Sequence, residues 1–405
     1  MIEKDFLLSN SRWLSAGVLL TFSTAFGQTF FISLFALEIR NEFSMSHTLW
    51  GSIYAAGTLS SAALMLLIGG LADKYPARIM ALLTMAVFSL FCICMASVPK
   101  IWLLPIIIFG LRFCGQGMLG HLAMVFAGRW FAKNRGKTIA IASLGLSISE
   151  AILPFIFVTL VGIIGWRLSW GVAAILIILL AIPLFFLLSK ERNPQSSGDG
   201  EETNLAGMQG YHWDRKKVLL HWVFWLALPA FLAQHIFGTT FFFQQAYFSE
   251  IKGWSLDSYV ALIPVYTVAS LIGLFFAGFI IDRYGISFIL PVYLLPMTLG
   301  FLISSNAVTL SAAALSFACM GLMQGMGTTV VGAFWPEFYG TKFLGSVRSV
   351  ATSLMVFATA LGPLSSGFFI DQGIGLEKQY TLMSAISLTS CLGMLYISLS
   401  RIASK

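Results

Sequence analysis

Charged residues are scarce in this chain. Asp, Glu, Lys and Arg make up 10% of its 405 residues, whereas a soluble domain carries roughly 25%. This shortage excludes an ordinary water-exposed surface, and the hydrophobic content of 58% indicates that lipid is the main solvent. Cysteine is also rare. The five cysteines lie in apolar runs without CxxC spacing, which argues against disulfides and against a cysteine metal site.

Long apolar runs predict membrane-spanning helices, each of which needs about 20 residues. The first run has no small-residue cleavage site, so we expect a retained span rather than a signal peptide. Residues 284–336 are too long for one span and divide near 304-SSN-306. The twelve predicted spans, numbered 1 to 12 below, are 13–37, 43–72, 79–99, 101–128, 138–166, 168–189, 218–249, 258–281, the two parts of 284–336, 349–370 and 379–400.

The basic residues are unevenly distributed between the two sides of the membrane. With twelve spans both termini share a side, and 18 of the 24 Lys and Arg residues fall on it. Five fall on the other side, and Arg112 falls on neither. The bias places both termini in the cytoplasm, and we expect a multi-pass protein of a bacterial inner membrane. The net charge of +7 is therefore a topology signal, and we expect no nucleic-acid partner.

The two halves of the sequence resemble each other at a constant offset of 209 residues. Gly69 and Asp73 match Gly278 and Asp282 in this way. The other matched pairs are Gly136 with Gly345 and Pro154 with Pro363. Such duplication is typical of transporters built from two bundles around a midplane site. We predict an N-terminal six-helix bundle at 1–189, a cytoplasmic central loop at 190–217 and a C-terminal six-helix bundle at 218–405.

Two loop sequences, 69-GGLADKYPAR-78 and 278-GFIIDRYG-285, resemble the signature loops of the major facilitator superfamily. The resemblance covers nearly the whole chain and implies an all-α membrane protein with twelve transmembrane helices in two pseudo-symmetric six-helix bundles. In that family the loops form a latch on the cytoplasmic side. The resemblance implies this role for Gly69, Asp73, Lys74, Arg78, Gly278, Asp282 and Arg283. Pro76 departs from the pattern, because the family usually has Gly there.

Arg112 is the one cation inside a predicted span. It lies about 16 Å beyond Lys100, near the middle of a core about 30 Å thick. Because a charge there is costly against lipid, it must face a cavity or a partner. Gln116 follows one turn later on the same face, and the arrangement resembles in part the span-4 Arg motif of the family. Two interpretations stay open: a site for a substrate anion or proton coupling, and a structural Arg bound to backbone carbonyls.

Glu150 is the acid in the interior of span 5. A carboxylate in the membrane is expected to be protonated or paired, and Arg112 is the only cation within the spans. We therefore predict either an Arg112–Glu150 ion pair with a structural role or a shared site whose carboxylate takes a coupling proton. Ser149 and Glu150 replace the Gly-Pro pair that many antiporters of the family carry in span 5.

Polar residues occur in each of the four spans that line the cavity in this family. Histidine can titrate near neutral pH, although a hydrogen bond to a neighbour would explain each of these residues equally well. The candidate pathway residues are Gln28 in span 1, Arg112, Gln116 and His121 in span 4, Gln234 and His235 in span 7, and Gln324 in span 10.

Two segments, 129-RWFAKNRGKTIAIASLG-145 and 361-LGPLSSGFFID-371, resemble the monocarboxylate-porter and oxalate/formate-exchanger branches. The monocarboxylate branch also has an Asp and an Arg in span 8, which this chain lacks, so Arg112 would supply the cation. We expect a monomeric secondary transporter that moves a small monocarboxylate-like anion with a proton by alternating access. The alternative is proton-coupled efflux of drugs or other lipophilic compounds. An enzyme is not expected, because neither HExxH nor a comparable motif occurs, and we expect no metal and no cofactor.

Overall fold

The computed structural model describes residues 4–69, 71–131, 135–190, 206–340 and 342–403, and in these ranges the regular secondary structure is helical, without strands. Nine of the described helices are long and apolar enough to cross a membrane. A tenth crossing is formed by the pair Phe6–Gly27 and Thr29–Glu42, which is bent by 45°, if the pair counts as one span.

The two remaining crossings follow from helix length and from prolines. The helix Arg135–Leu187 has 53 residues and would be about 80 Å long if straight, more than twice the thickness of the hydrocarbon core. It is interrupted at Gly165 (φ 78°, ψ 164°), so it contains spans 5 and 6. Span 9 is divided into Ile286–Ile289 and Leu295–Asn306 by a segment that contains Pro291, which has no N–H to donate. The nine long helices, the bent pair, the division at Gly165 and the divided span 9 are together consistent with twelve spans.

The helices of the spans have the following bounds. In the first half they are Lys4–Ser23, Thr24–Gly27, Thr29–Ile32, Ser33–Phe35 and Ala36–Glu42 in span 1, His47–Ile68 in span 2, Ala77–Ala96 in span 3, and Leu104–Arg112, Phe113–Leu119 and Gly120–Trp130 in span 4. In the second half they are Trp222–Phe243 and Gln245–Ile251 in span 7, Leu256–Val260 and Ile263–Tyr284 in span 8, Leu310–Tyr339 in span 10, Leu344–Asp371 in span 11 and Leu376–Ala403 in span 12. Short helices between the spans are Leu71–Lys74, Ile101–Leu103, Met208–Gly210 and Arg215–Leu220.

The chain forms two compact units, residues 1–200 and 201–405. In the first unit, span 1 packs on span 5, span 2 on span 4, and span 3 on span 6. In the second unit, span 7 packs on span 11, span 8 on span 10, and span 9 on span 12. The same pairing scheme therefore occurs in both units, which extends the duplication from sequence to packing. The exact limits of the two bundles stay a prediction.

Glycines allow these helix pairs to approach closely. A Cβ atom on Gly145 of span 5 would lie 2.0 Å from the carbonyl oxygen of Val18 in span 1. A Cβ on Gly325 of span 10 would lie 1.9 Å from the carbonyl oxygen of Ser270 in span 8. Larger residues at these positions would push the paired backbones apart, as expected where small residues form the interfaces between membrane helices.

In each unit a described ion pair joins the first span to the last span, at the end opposite the chain terminus that the unit carries. Glu42 of span 1 pairs with Arg167 of span 6, and Lys252 of span 7 pairs with Glu377 of span 12. The corresponding positions are 210 residues apart in both cases, and the signs of the charges are exchanged. The turns beside them also correspond, since Ser44 (φ 50°) and Gly253 (φ 67°) are 209 residues apart.

Candidate functional site

Span 1 is broken at Gln28. Gln28 has an extended backbone (φ −83°, ψ 156°) between the 3-10 turn Thr24–Gly27 and the helix Thr29–Ile32. The N–H groups of Phe31 and Ile32 both bond to the carbonyl of Gln28, at 3.2 and 3.1 Å. The carbonyl of Gly27 is therefore not used by Phe31, and it becomes available to a side chain from another helix.

Arg112 provides that side chain. Its Nη1 donates to the carbonyl oxygen of Gly27 at 3.0 Å and to the hydroxyl of Thr29 at 3.4 Å. The guanidinium carbon lies 5.2 Å from the centre of the Tyr54 ring, a distance at which cation–π attraction applies. The hydroxyl groups of Tyr54 and Thr29 are 2.6 Å apart and hydrogen bonded. Spans 1 and 2 thus hold one side of the guanidinium.

Two glycines bring the break in span 1 against span 4. A Cβ on Gly115 would lie 2.6 Å from the Cα of Gly27 and 2.8 Å from the ring of Phe88. Next to this crossing, residues Phe113–Leu119 form a π-helix that begins directly after Arg112. Segments of π-helix are rare and often occur at functional sites. The close approach of the two backbones is what allows Arg112 to reach the Gly27 carbonyl.

The other side of the guanidinium has no partner among the described residues. Arg112 is 1% exposed, yet its Nε and Nη2 atoms make no hydrogen bond there. These two N–H groups are parallel and together form one bidentate edge of a guanidinium, the geometry that matches a carboxylate. We call this pair of donors the free edge of Arg112.

The predicted Arg112–Glu150 ion pair does not form in this structure. No ion pair joins Arg112 to Glu150 among the described residues, and neither side chain takes part in the pairs of Glu42 with Arg167 and Lys252 with Glu377. Arg112 instead turns toward the broken backbone of span 1, whose carbonyl is a closer acceptor. The direct pair is therefore wrong for this structure, and a shared site stays a prediction.

Glu150 lies beside span 1 without a hydrogen-bond or ionic partner in the described part of the chain. Span 5 runs along span 1, with Gly145 against Val18 and Phe157 against the rings of Phe26 and Phe31. Glu150 lies between these two contacts and shares the helix face of Phe157, seven residues away. Glu150 therefore lies beside the part of span 1 that comes just before the break at Gln28.

The remaining candidates of span 4 do not join Arg112. Gln116 is exposed and makes no hydrogen bond to a described residue, although the α-helical pattern placed it on the same face as buried Arg112. His121 is partly exposed, and its Nε2 donates to the carbonyl of Gly69 at 3.0 Å. His121 therefore contacts the start of the predicted latch loop. Gln28 is partly exposed at the break itself, without a hydrogen bond from its side chain to the described residues.

The candidates of the second unit lie on two packed helices. Gln234 is buried against Gly327 of span 10, where a Cβ would lie 2.4 Å from its Oε1, and this oxygen has no described hydrogen-bond partner. The Nδ1 of His235 donates to the carbonyl of Phe231 at 2.8 Å, so in neutral His235 the Nε2 is an acceptor. Gln324 is partly exposed on span 10.

The latch residues are described only in part. Gly69 ends span 2, and Leu71–Lys74 form a helical turn, but the side chains of Asp73 and Lys74 lie outside the described part of the structure. Arg78 stacks on the ring of Phe185 at 3.7 Å. The second copy lies in the last turns of span 8, where Gly278, Asp282 and Arg283 precede the positive-φ residue Gly285, and both charged side chains are exposed.

Sequence reasoning missed Thr29 and Tyr54, which help to hold Arg112. Tyr54 is fully buried in span 2, and an aromatic residue in an apolar run carries no signal of such a contact. The sequence 27-GQT-29 could have indicated Thr29, because it places a Gly and two polar residues in the middle of a span.

Comparison with known proteins agrees with this architecture. The family model for the Major Facilitator Superfamily matches residues 17–363. A hexuronate transporter of Bacillus subtilis (strain 168) is 23% identical over 393 residues, which cover 90% of this chain and 89% of the relative.

Solved structures show the same fold. The nucleoside transporter NupG matches with a TM-score of 0.75 at 13% identity, covering 95% of this chain and 98% of NupG. A bacterial homologue of the human lysosomal transporter Spinster matches with a TM-score of 0.69 at 18% identity, covering 98% and 97% of the two chains. Together with the family match over most of the chain, these findings show that the protein belongs to the major facilitator superfamily of small-solute transporters.

Proposed function

We propose that this transporter carries a small organic anion of the carboxylate type together with a proton. The observation that carries the proposal is the free edge of Arg112, two buried N–H donors without a described partner. A guanidinium in this state has an uncompensated charge and an open bidentate edge, and a carboxylate fits both. The relative from Bacillus subtilis transports, by its name, a hexuronate, which is itself a carboxylate.

Access to the free edge requires movement. Because Arg112 is 1% exposed, a substrate can reach it only after neighbouring side chains separate. Alternating access by two bundles that rock around a midplane site would provide that opening. In this scheme the loop segments at Gly69 and Gly278 act as latches, and His121 joins span 4 to the first of them through the carbonyl of Gly69.

Glu150 is the proposed proton carrier. It is the acid inside a span of the first unit, it lies near the break in span 1, and no described cation pairs with it. Its charge can therefore change without breaking an ion pair in this structure. Gln28, Gln116, Gln234, His235 and Gln324 are proposed to line the pathway. We further propose that the protein acts as a monomer in a bacterial inner membrane, with both termini in the cytoplasm.

The test is uptake of labelled carboxylates into proteoliposomes, with and without an imposed pH gradient. The panel should contain short monocarboxylates and hexuronates. The proposal expects accumulation of at least one of them that depends on the gradient. Absence of gradient-dependent uptake across the panel, together with increased drug resistance of overexpressing cells, would favour the efflux alternative and contradict the proposal.

A further inference from the structure

The end of the central loop is a folded part of the second unit. The N–H of Gly207 bonds to the carbonyl of Tyr211 at 2.9 Å, and the N–H of Trp213 bonds to the carbonyl of Tyr339 at 3.2 Å. The ring of Trp213 packs on His221 and Tyr339, with centroid distances of 4.5 and 5.7 Å. A Cβ on Gly207 would lie 2.5 Å from the backbone of Tyr339, so the loop lies directly on the end of span 10.

This loop and three span ends border an open cavity of about 750 Å³, which we call the interfacial pocket. Spans 7, 10 and 12 all begin or end beside it, so the pocket lies at the end of the second unit that carries the C-terminal end of span 12. Its lining includes Gln209 from the loop, His221 and Trp222 from the start of span 7, Glu337 from the end of span 10, and Ile397 and Ser400 from the end of span 12.

Basic residues lie in the short helix that leads into the pocket. Arg215, Lys216 and Lys217 are consecutive and exposed, and the helix Arg215–Leu220 leads directly into His221. The side chain of Asp214 accepts the N–H of Lys217 at 2.9 Å and fixes the start of this helix. A run of Lys and Arg just outside a membrane helix attracts anionic lipid headgroups.

Apolar and aromatic side chains flank the same pocket and face outward. Leu220 is 79% exposed, although it belongs to a helix that is pinned by the bond from Trp225 Nε1 to the carbonyl of Leu219. Trp222 and Tyr396 are in ring contact at 5.7 Å, and both are exposed. Exposed Trp and Tyr at a span end are typical of side chains placed among lipid headgroups.

We propose that the interfacial pocket binds an anionic phospholipid of the leaflet on the side of the termini. The phosphate lies at Arg215–Lys217, and the glycerol and first acyl carbons enter between Trp222 and Ile397. This combination of charge, aromatic belt and cavity fits a lipid better than a soluble anion, because a soluble anion would gain nothing from the exposed apolar side chains. The proposal is independent of the transported substrate.

The experiment uses the full-length protein in nanodiscs of neutral phosphatidylcholine, titrated with phosphatidylglycerol. Lipid binding is followed by native mass spectrometry and by the shift in thermal unfolding. The double variant Lys216→Gln/Lys217→Gln removes two charges at the pocket. The matched control Lys190→Gln/Arg283→Gln removes two exposed charges outside the pocket lining on the side assigned to the termini. Ala206→Trp, at an exposed position in the lining, narrows the pocket without changing any charge.

We expect the pocket variant to raise the Kd for phosphatidylglycerol by at least about tenfold. The control should bind like the unmodified protein, and Ala206→Trp should weaken binding although all basic residues remain. An equal loss in the control variant would overturn the proposal, since the effect would then be general electrostatics. Binding unchanged in Ala206→Trp would also overturn it, as would equal stabilisation by soluble glycerol phosphate.

Discussion

Arg112 is held by contacts that only the folded chain provides. Gly27 and Gly115 allow spans 1 and 4 to touch, the break at Gln28 exposes a carbonyl, and Nη1 of Arg112 uses it. These contacts leave Nε and Nη2 without a hydrogen-bond partner among the described residues. The structural interpretation is therefore realised on one side of the guanidinium, which bonds to the backbone, and the binding of an anion on the other side stays a prediction.

Replacing Arg112 with Lys tests whether the bidentate edge matters beyond its charge. Lys keeps the positive charge but cannot present two parallel donors. We expect Arg112→Lys to raise KM for the carboxylate by about 30-fold, since losing one charge-assisted hydrogen bond costs about 2 kcal/mol. Initial uptake rates across substrate concentrations measure this. An unchanged KM in folded Arg112→Lys protein would show that the free edge does not bind substrate.

Glu150→Gln tests the proton role. Gln keeps the shape of the side chain but cannot release a proton, so the variant should lose accumulation driven by a pH gradient while retaining exchange of internal for external substrate. Both activities can be measured in the same proteoliposomes. Asp257→Asn is the control, because it removes an exposed acid outside the site. Normal gradient-driven accumulation by Glu150→Gln would exclude Glu150 as the proton carrier.

Gly115→Ala tests the close crossing of spans 1 and 4. The new Cβ would lie 2.6 Å from the Cα of Gly27, so the backbones must separate and the Gly27 carbonyl must move relative to Arg112. We expect a loss of about 1–3 kcal/mol in stability and a higher KM. Gly120→Ala is a matched control in the same span, since its Cβ meets only Thr24, at 3.9 Å. Uptake and stability in thermal unfolding should be impaired in Gly115→Ala and not in Gly120→Ala. Equal behaviour of the two variants would contradict the close crossing of spans 1 and 4.

At the level of helices, the sequence predicted which segments cross the membrane but not where they are irregular. Apolar length predicted the spans, and the depth of Arg112 in the membrane stays a prediction from residue counting. The break at Gln28 was not predictable, because 26-FGQTFF-31 contains no proline and continues an apolar run. Its cause is tertiary: span 4 contacts the backbone at Gly27 and binds the carbonyl that an uninterrupted helix would use. The π-helix after Arg112 likewise carries no periodic signature.

The division between spans 5 and 6 depends on one glycine. Gly165 has φ 78° and ψ 164°, a conformation that costs a residue with a Cβ about 1–3 kcal/mol. Gly165→Ala should therefore lower the free energy of unfolding by about that amount. Gly162→Ala, one turn earlier, should be neutral or stabilising, because a Cβ at either glycine meets no neighbour and only the backbone conformation differs. Unfolding of the two purified variants compares them, and equal stabilities would argue against a break at Gly165.

Across the whole chain, duplication was predictable from a few matched residues, and the structure extends it to helix pairing, turns and ion pairs. The match of Ser44 with Gly253 could not be found from the sequence, because the two residue types differ and share only a positive φ at these positions. The ion pairs could not be found from the sequence either, because an acidic residue in one half corresponds to a basic residue in the other. Comparing the halves at a constant offset finds only identical residues, whereas the ion pairs of the two units correspond in position but have exchanged charges.

The ion pair of the first unit allows a test of its two partners. Glu42→Gln should cost at most about 1 kcal/mol, because both side chains are partly exposed. Arg167→Gln should cost more, since Arg167 also donates to the carbonyls of Ala96 and Val98, at 3.1 and 2.7 Å. Thermal unfolding of both variants measures the difference. A larger loss for Glu42→Gln would show that charge pairing, rather than capping of span 3, dominates at this end.

The most direct test compares a transported carboxylate with its primary amide in exchange assays on proteoliposomes. The two compounds have nearly the same size and differ in the charge and acceptor oxygens that the free edge of Arg112 would bind. We predict that the protein exchanges the acid and not the amide, and that Arg112→Gln abolishes exchange of the acid while the protein stays folded. Equal exchange of acid and amide, or acid exchange at the normal rate by Arg112→Gln, would contradict substrate binding at Arg112.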